Sequence, residues 1–166
     1  MGMANEKITR RGLFGLLKDP PQPPLPKALP GLVSREAVYV HRTPEGIACG
    51  AWSDHMRRAG FIVKTKEAAD LKSVKERLRV PPDLAACHSA EIEGYAIEGH
   101  VPASAVIRLL REKPEASGLA VAGMPAGAPG VECLEEAEYA VMLFGPKIMP
   151  DGRRVYMKFR GNRMIA

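Results

Sequence analysis

The stretch AVYVHRTPEGIACGAWSDHMRRAGFIV, residues 37–63, decides the fold. Ala37-Val38-Tyr39-Val40 is a short apolar run suited to a buried strand. Pro44, Glu45 and Gly46 then break the run. Next, Trp52, His55, Met56 and Ala59 recur at helical spacing, and Gly60 stops that helix by taking the left-handed conformation other residues avoid. Phe61-Ile62-Val63 reads as a second strand. Cys49 falls just before the predicted helix.

Downstream, the same alternation of patterns continues. Asp70 is placed to cap a helix carrying Leu71, Val74 and Leu78, with Lys72 and Glu76 paired one turn apart, and Pro81-Pro82 ends it. Ala90–Gly99 has strand character around Tyr95-Ala96-Ile97. Pro102 opens a helix with Val106, Leu109 and Leu110 on one face, terminated at Lys113-Pro114. A Gly/Pro-rich loop, Gly118 to Gly130, precedes a buried strand over Tyr139–Phe144. Arg154–Phe159 then alternates as an edge strand or last hairpin arm. The order β-α-β-α-β-α-β-β predicts an α/β sandwich with a mixed central sheet flanked by helices. A strand that feeds a cysteine at the start of the first helix is the thioredoxin-like arrangement.

Composition sets the limits. The chain has 166 residues, 46% of them apolar, which is enough for one core and excludes wholesale disorder. No apolar run approaches the ~20 residues that cross a bilayer. Three cysteines are too few for a disulfide scaffold and leave at least one thiol unpaired. The net charge of +5 is concentrated at the ends: residues 1–34 hold five Lys/Arg against Glu6 and Asp19, while residues 35–166 hold nineteen against seventeen acids. The last twenty residues carry Lys147, Arg153, Arg154, Lys158, Arg160 and Arg163 against Asp151 alone. That tail lacks the basic helix or Gly-aromatic pattern of a nucleic-acid binder, so a solvated face or an anionic partner is the expectation.

The N-terminal region is organised in two parts. Thr9-Arg10-Arg11-Gly12-Leu13-Phe14, within residues 1–18, resembles a twin-arginine export signal, although Lys18 and Asp19 cut its apolar stretch short. Residues 19–34 hold Pro20, Pro21, Pro23, Pro24, Pro26 and Pro30, a semi-rigid linker of polyproline character. The folded domain is expected over 35–166. Its compartment is the periplasm if the export segment works and the cytoplasm otherwise.

Two thiols carry the candidate chemistry. Unpaired N–H groups and the helix dipole near Cys49 favour its thiolate. Cys87, with His88, lies in the turn after the second predicted helix, which in a thioredoxin-like fold faces the N-terminus of the first. The two cysteines, 38 positions apart, are therefore expected to meet. Facing thiolates can bind a soft ion such as Cu(I), or close to a disulfide if their Cα atoms lie within about 7 Å. They can also be small buried apolar residues. Met124 offers a thioether. Cys133 sits among Glu132, Glu135 and Glu136, a setting that discourages a thiolate. His41 and His55 read as lacking partners, His55 as a packing residue on the helix, and His100 as part of the turn into the next helix. There is no Cys-x-x-Cys pair, phosphate loop, zinc-protease helix or nucleophile elbow, so hydrolysis and group transfer find no support.

The segment Cys87-His88-Ser89-Ala90-Glu91-Ile92-Glu93-Gly94-Tyr95-Ala96-Ile97-Glu98-Gly99-His100-Val101-Pro102-Ala103 closely resembles a signature of the CopG-like metal-binding family, catalogued as a domain of unknown function. Residues 118–130, Trp52–Met56 and Ala59–Phe61 resemble its other conserved regions. The resemblance, over about residues 37–160, implies a thioredoxin-like fold, export to the periplasm, copper binding and copper resistance. The family's sites use a Cys-x-Cys-Cys cluster before the first helix together with the cysteine of the Cys-His motif. Here those positions correspond to Gly46, Ala48, Cys49 and Cys87, so two of four sulfur ligands are missing. The expectation is a small non-catalytic protein with a mononuclear Cu(I) site at Cys49 and Cys87, with Met124 and His88 as auxiliaries. The rivals are a thiol/disulfide redox protein using the same cysteines, and an interaction module that has lost its metal. Expected partners are the metal ion and a copper-handling protein, with no specific nucleic acid.

Overall fold

Alternating apolar residues on eight strands build one mixed sheet in the computed structural model, which describes residues 37–43, 47–148 and 151–166. The export segment and proline-rich linker expected over 1–34 lie outside the described residues. The elements are β1 (Val38–Arg42), α1 (Ile47–Arg58), β2 (Val63–Glu67), α2 (Leu71–Arg77), a single 3₁₀ turn (Pro82–Leu84), β3 (Ser89–Ile92), β4 (Tyr95–Glu98), α3 (Ala103–Glu112), β5 (Gly118–Ala120), β6 (Glu138–Phe144), β7 (Arg153–Arg160) and β8 (Arg163–Met164). Their order across the sheet is β2-β1-β3-β4-β5-β6-β7-β8. β1 and β2 run parallel, as do β4 and β5, and every other neighbouring pair is antiparallel. The expected α/β sandwich with a mixed central sheet is therefore present.

Side-chain alternation assigns each face its helices. Ile97, Leu119 and Leu143 stand side by side across β4, β5 and β6. They share a core with Val38 and Val40 of β1, Trp52 and Met56 of α1, and Val106 and Leu109 of α3. The alternate positions His41, Ser89, Glu91 and Glu98 point to the face that α2 covers: Arg77 reaches Glu91, and Lys75 reaches Ser89 and Glu98. A smaller apolar cluster on that face joins Ala96, Ala120 and Phe144 to Val80 and Leu84.

Helix boundaries follow the sequence signals. Asp70 accepts backbone N–H bonds from Lys72 (2.9 Å) and Ser73 (3.3 Å), as its capping position predicts. Gly60, at φ +95°, terminates α1. Lys113 takes the left-handed conformation at the end of α3, ahead of Pro114.

Three expectations need correction. Ala90–Gly99 is a hairpin and not one strand: Glu93 and Gly94, at φ +46° and +82°, form its tight turn. Gly118-Leu119-Ala120 is no loop but a buried strand in the middle of the sheet. Glycine is required at its start, because a Cβ on Gly118 would lie 1.9 Å from the Ala96 carbonyl oxygen. Finally, β7 is flanked on both sides, so the edge is the two-residue β8. On the basic C-terminal segment, Lys147, Arg153 and Arg160 are engaged in ion pairs with Glu115, Asp83 and Glu138. No described helix is long and apolar enough to cross a membrane.

His55 joins the two helices of the main core. Pro102, before α3, has no side chain with which to cap it, and the His55 ring takes over: its Nε2 accepts the Ala103 N–H at 3.0 Å. Accepting requires the unprotonated nitrogen. Burial, reinforced by the nearby Arg58 charge, holds the pKa of His55 down to about 4. The unfolded chain therefore takes up a proton between pH ~6.5 and 4 that the folded chain refuses, and stability falls as pH is lowered through that window. Denaturant unfolding at stepped pH should show a loss of about 3 kcal/mol at this site. His55→Gln keeps an acceptor without titrating, and it should abolish that part of the slope.

Candidate metal centre

The hairpin explains how the centre is assembled. Its arms pair Ser89 with Glu98, and the ladder continues one step further through the Gly99 N–H bond to the His88 carbonyl (3.0 Å). Residues just outside the hairpin on either side, Cys87-His88 and His100, thereby become neighbours. Cys49 enters from the first turn of α1, as the third residue of the helix and not just ahead of it.

The result is a buried cluster of sulfur and imidazole. Cys49 Sγ lies 3.5 Å from Cys87 Sγ. Cys87 Sγ is also 3.2 Å from His88 Nδ1 and 3.0 Å from His100 Nε2. Cys49, His88 and His100 are buried and Cys87 is partly exposed, which leaves it as the side chain nearest solvent. Trp52 packs its ring on His88 at 4.6 Å and anchors itself through an indole N–H bond to the Val101 carbonyl (2.8 Å). His88 and His100 meet edge to face at 5.1 Å.

The cluster has more lone pairs than protons. The Pro129 carbonyl can only accept, so His100 Nδ1 donates to it at 2.8 Å. In the neutral ring, Nε2 then presents a bare lone pair to Cys87, and burial, the foremost influence on this imidazole, pushes its pKa down and keeps it neutral. The two thiols cannot ionise together at 3.5 Å. Cys49 is the lower of the pair, because Cys87 donates a hydrogen bond to its thiolate and His88 adds to the effect. Cys87 is raised by giving that bond, by burial and by the Cys49 charge beside it. His88 Nε2 is buried with no hydrogen-bond partner among the described residues. A cation would satisfy the lone pairs that Cys49, Cys87 and His100 Nε2 turn toward one another.

Cys49, Cys87 and His88 can each direct one donor atom into a space where all three lie within 4.8 Å of one another. Two sulfurs with imidazole suit a soft ion of the copper or zinc type. His100 also has the arrangement typical of a ligating histidine, one ring nitrogen tied to a backbone carbonyl and the other facing the cluster.

The sequence-derived candidates are thus placed unequally. Cys49, Cys87 and His88 converge. Met124 is about half exposed on the loop after β5. Cys133 is exposed and forms no part of the Cys49–Cys87–His88 group. His100, read from sequence as a turn residue, touches Cys87 directly. Its signal was the hairpin: once residues 89–98 are folded on themselves, positions 88 and 99 must adjoin. His41, expected to lack a partner, lies 2.8 Å from Glu91. Arg77 foremost, with His41, holds that carboxyl well below its usual range.

These features define a class: an α/β protein with a buried, soft-donor thiol and imidazole centre where the first helix meets a hairpin base. The family model described as "Protein of unknown function, DUF411" matches residues 84–131, which span the Cys87 turn, the hairpin, α3 and the Pro129 loop. A solved structure described as copper resistance protein CopG, form 2, is 35% identical, with a TM-score of 0.69 over 74% of this chain and 97% of that one. Its form 1 is 36% identical, with a TM-score of 0.69 over 75% and 98%. No match is found among curated proteins. The chain belongs to the CopG-like DUF411 family.

Proposed function

We propose that this protein binds one soft metal ion, Cu(I) foremost, through Cys49, Cys87 and His88, and that it handles copper without catalytic turnover. The observation carrying this reading is the 3.5 Å approach of two sulfurs from distant segments, with two imidazoles against the second sulfur. His100 orients and supplements the centre, and Met124 is offered as an auxiliary thioether. The solved relatives named for copper resistance support copper as the cargo. We also read the β2-β1-β3-β4 half as thioredoxin-like, because a parallel pair joined through α1 lies beside an antiparallel hairpin. The resemblance of residues 9–14 to an export signal supports a periplasmic role in copper resistance, with a copper-handling protein as donor or acceptor.

Binding would proceed with loss of the proton the two sulfurs share, so uptake should weaken as pH falls. Anaerobic titration of the reduced protein with Cu(I) against a competing chelator should end near one equivalent per chain. Cys49→Ser should lose most of that uptake, and Cys133→Ser none. Unchanged uptake in Cys49→Ser would overturn the assignment.

The same sulfur separation favours a second reading, in which an external disulfide such as oxidised glutathione takes two electrons from the pair and leaves a Cys49–Cys87 bond. Thiol counting separates the two. Loss of two thiols per chain at a mild glutathione poise supports the redox role, and retention of all three supports metal handling.

A further inference from the structure

Glu98, the last residue of β4, is fully buried, a costly place for a carboxylate unless every oxygen is used. Each one is. Oε1 accepts the Ala86 N–H at 2.6 Å and pairs with the Lys75 ammonium of α2. Oε2 accepts the Ser89 hydroxyl at 2.6 Å, and Lys75 also reaches that hydroxyl at 3.1 Å. Ala86 and Ser89 are the residues immediately bracketing Cys87-His88. The turn is held from a third side by Gly99, whose N–H binds the His88 carbonyl. Gly99 is at φ +70°, and a Cβ there would come 2.7 Å from Ala86 Cβ and 2.5 Å from the Val121 carbonyl oxygen. The backbone on both sides of the sulfur thus rests on Glu98 and its neighbour.

We infer that Glu98 is a positioning residue for the centre: its carboxylate, clamped by Lys75, holds Ala86 and Ser89 and so fixes Cys87 Sγ against Cys49 and His100. This deepens the metal-binding reading and rests on it for its purpose, though the clamp itself is independent of any metal. A buried ion pair adds little net stability over apolar residues of equal volume, whereas its fixed hydrogen bonds specify one arrangement of the turn. Glu98→Gln keeps the volume but replaces an acceptor with an amide donor and removes the charge facing Lys75.

The decisive experiment compares parent, Glu98→Gln and Lys75→Met as reduced full-length chains. Without metal, hydrogen exchange at the Ala86 amide and alkylation of Cys87 should each accelerate about tenfold in Glu98→Gln, while the Leu119 amide in the sheet centre stays protected. Lys75→Met, which leaves the acceptors in place, should move both rates in the same direction by less. With Cu(I), Glu98→Gln should weaken affinity by roughly 10–100-fold at unchanged stoichiometry, the effect expected of a residue that orients a ligand. Ala86 exchange and Cys87 alkylation within roughly twofold of the parent in both variants would overturn the inference, as would equal acceleration at Leu119. If no form binds copper, the metal-handling reading fails, while the metal-free rates still decide the clamp.

Discussion

Cys87→Ser should cost this protein at least ~100-fold in Cu(I) affinity. A complete structural metal site with four ligands contributes about 10–16 kcal/mol, so one ligand carries roughly 3 kcal/mol. Cys87 is the most connected member of the centre, with Cys49 Sγ at 3.5 Å, His88 Nδ1 at 3.2 Å and His100 Nε2 at 3.0 Å. Serine offers a hard oxygen whose proton is far harder to remove, and soft ions discriminate against it. The fold should be little affected, because the turn is held through the Ala86 N–H, the His88 carbonyl and the Ser89 hydroxyl and not through the Cys87 side chain. Competition titration of parent and variant, with circular dichroism confirming an unchanged fold, checks both halves. Binding within threefold (roughly 0.7 kcal/mol) of the parent would remove Cys87 from the site.

Trp52→Ala should be the most damaging single substitution for stability, at about 3–5 kcal/mol, or ~10 °C in Tm for a domain of this size. Trp52 is fully buried in the main core, so its removal leaves a large cavity between α1 and the sheet. It also strands the Val101 carbonyl, which accepts the indole N–H at 2.8 Å. The loss extends to the centre, because the ring packed against His88 at 4.6 Å is gone. Trp52→Phe retains most of the packing and should cost about 1–3 kcal/mol, chiefly the abandoned carbonyl. Thermal unfolding of the three proteins provides the comparison. A Trp52→Ala shift of only one or two degrees would show that α1 is held by other contacts.

Much of the architecture was readable because local signals and tertiary structure agree. Asp70, Gly60, Lys113-Pro114 and the apolar faces of α1 and α3 each mark an element that the structure contains. The misreadings share a cause. β5 is three residues long and begins with a glycine that serves backbone proximity to Ala96, so periodicity has too few positions to register and composition suggests a loop. The Glu93-Gly94 turn lacks the Asn-Gly or Asp-Gly pair that announces a two-residue hairpin loop, so two strands read as one. That omission propagated into the site. Cys49, Cys87 and His88 were identifiable from residue type and fold analogy, but His100 joins them only through the hairpin. The Glu98 network was equally hidden, since a Glu in a strand pattern looks like a solvated position until α2 is laid over that face.

Everything functional depends on whether the two remote sulfurs hold one ion between them. X-ray absorption at the copper edge of the anaerobically loaded protein examines that directly. Two sulfur neighbours and nitrogen scattering around a single copper per chain are expected. At most one sulfur per copper, or copper neighbours indicating a multinuclear cluster, would contradict a mononuclear centre built on Cys49 and Cys87.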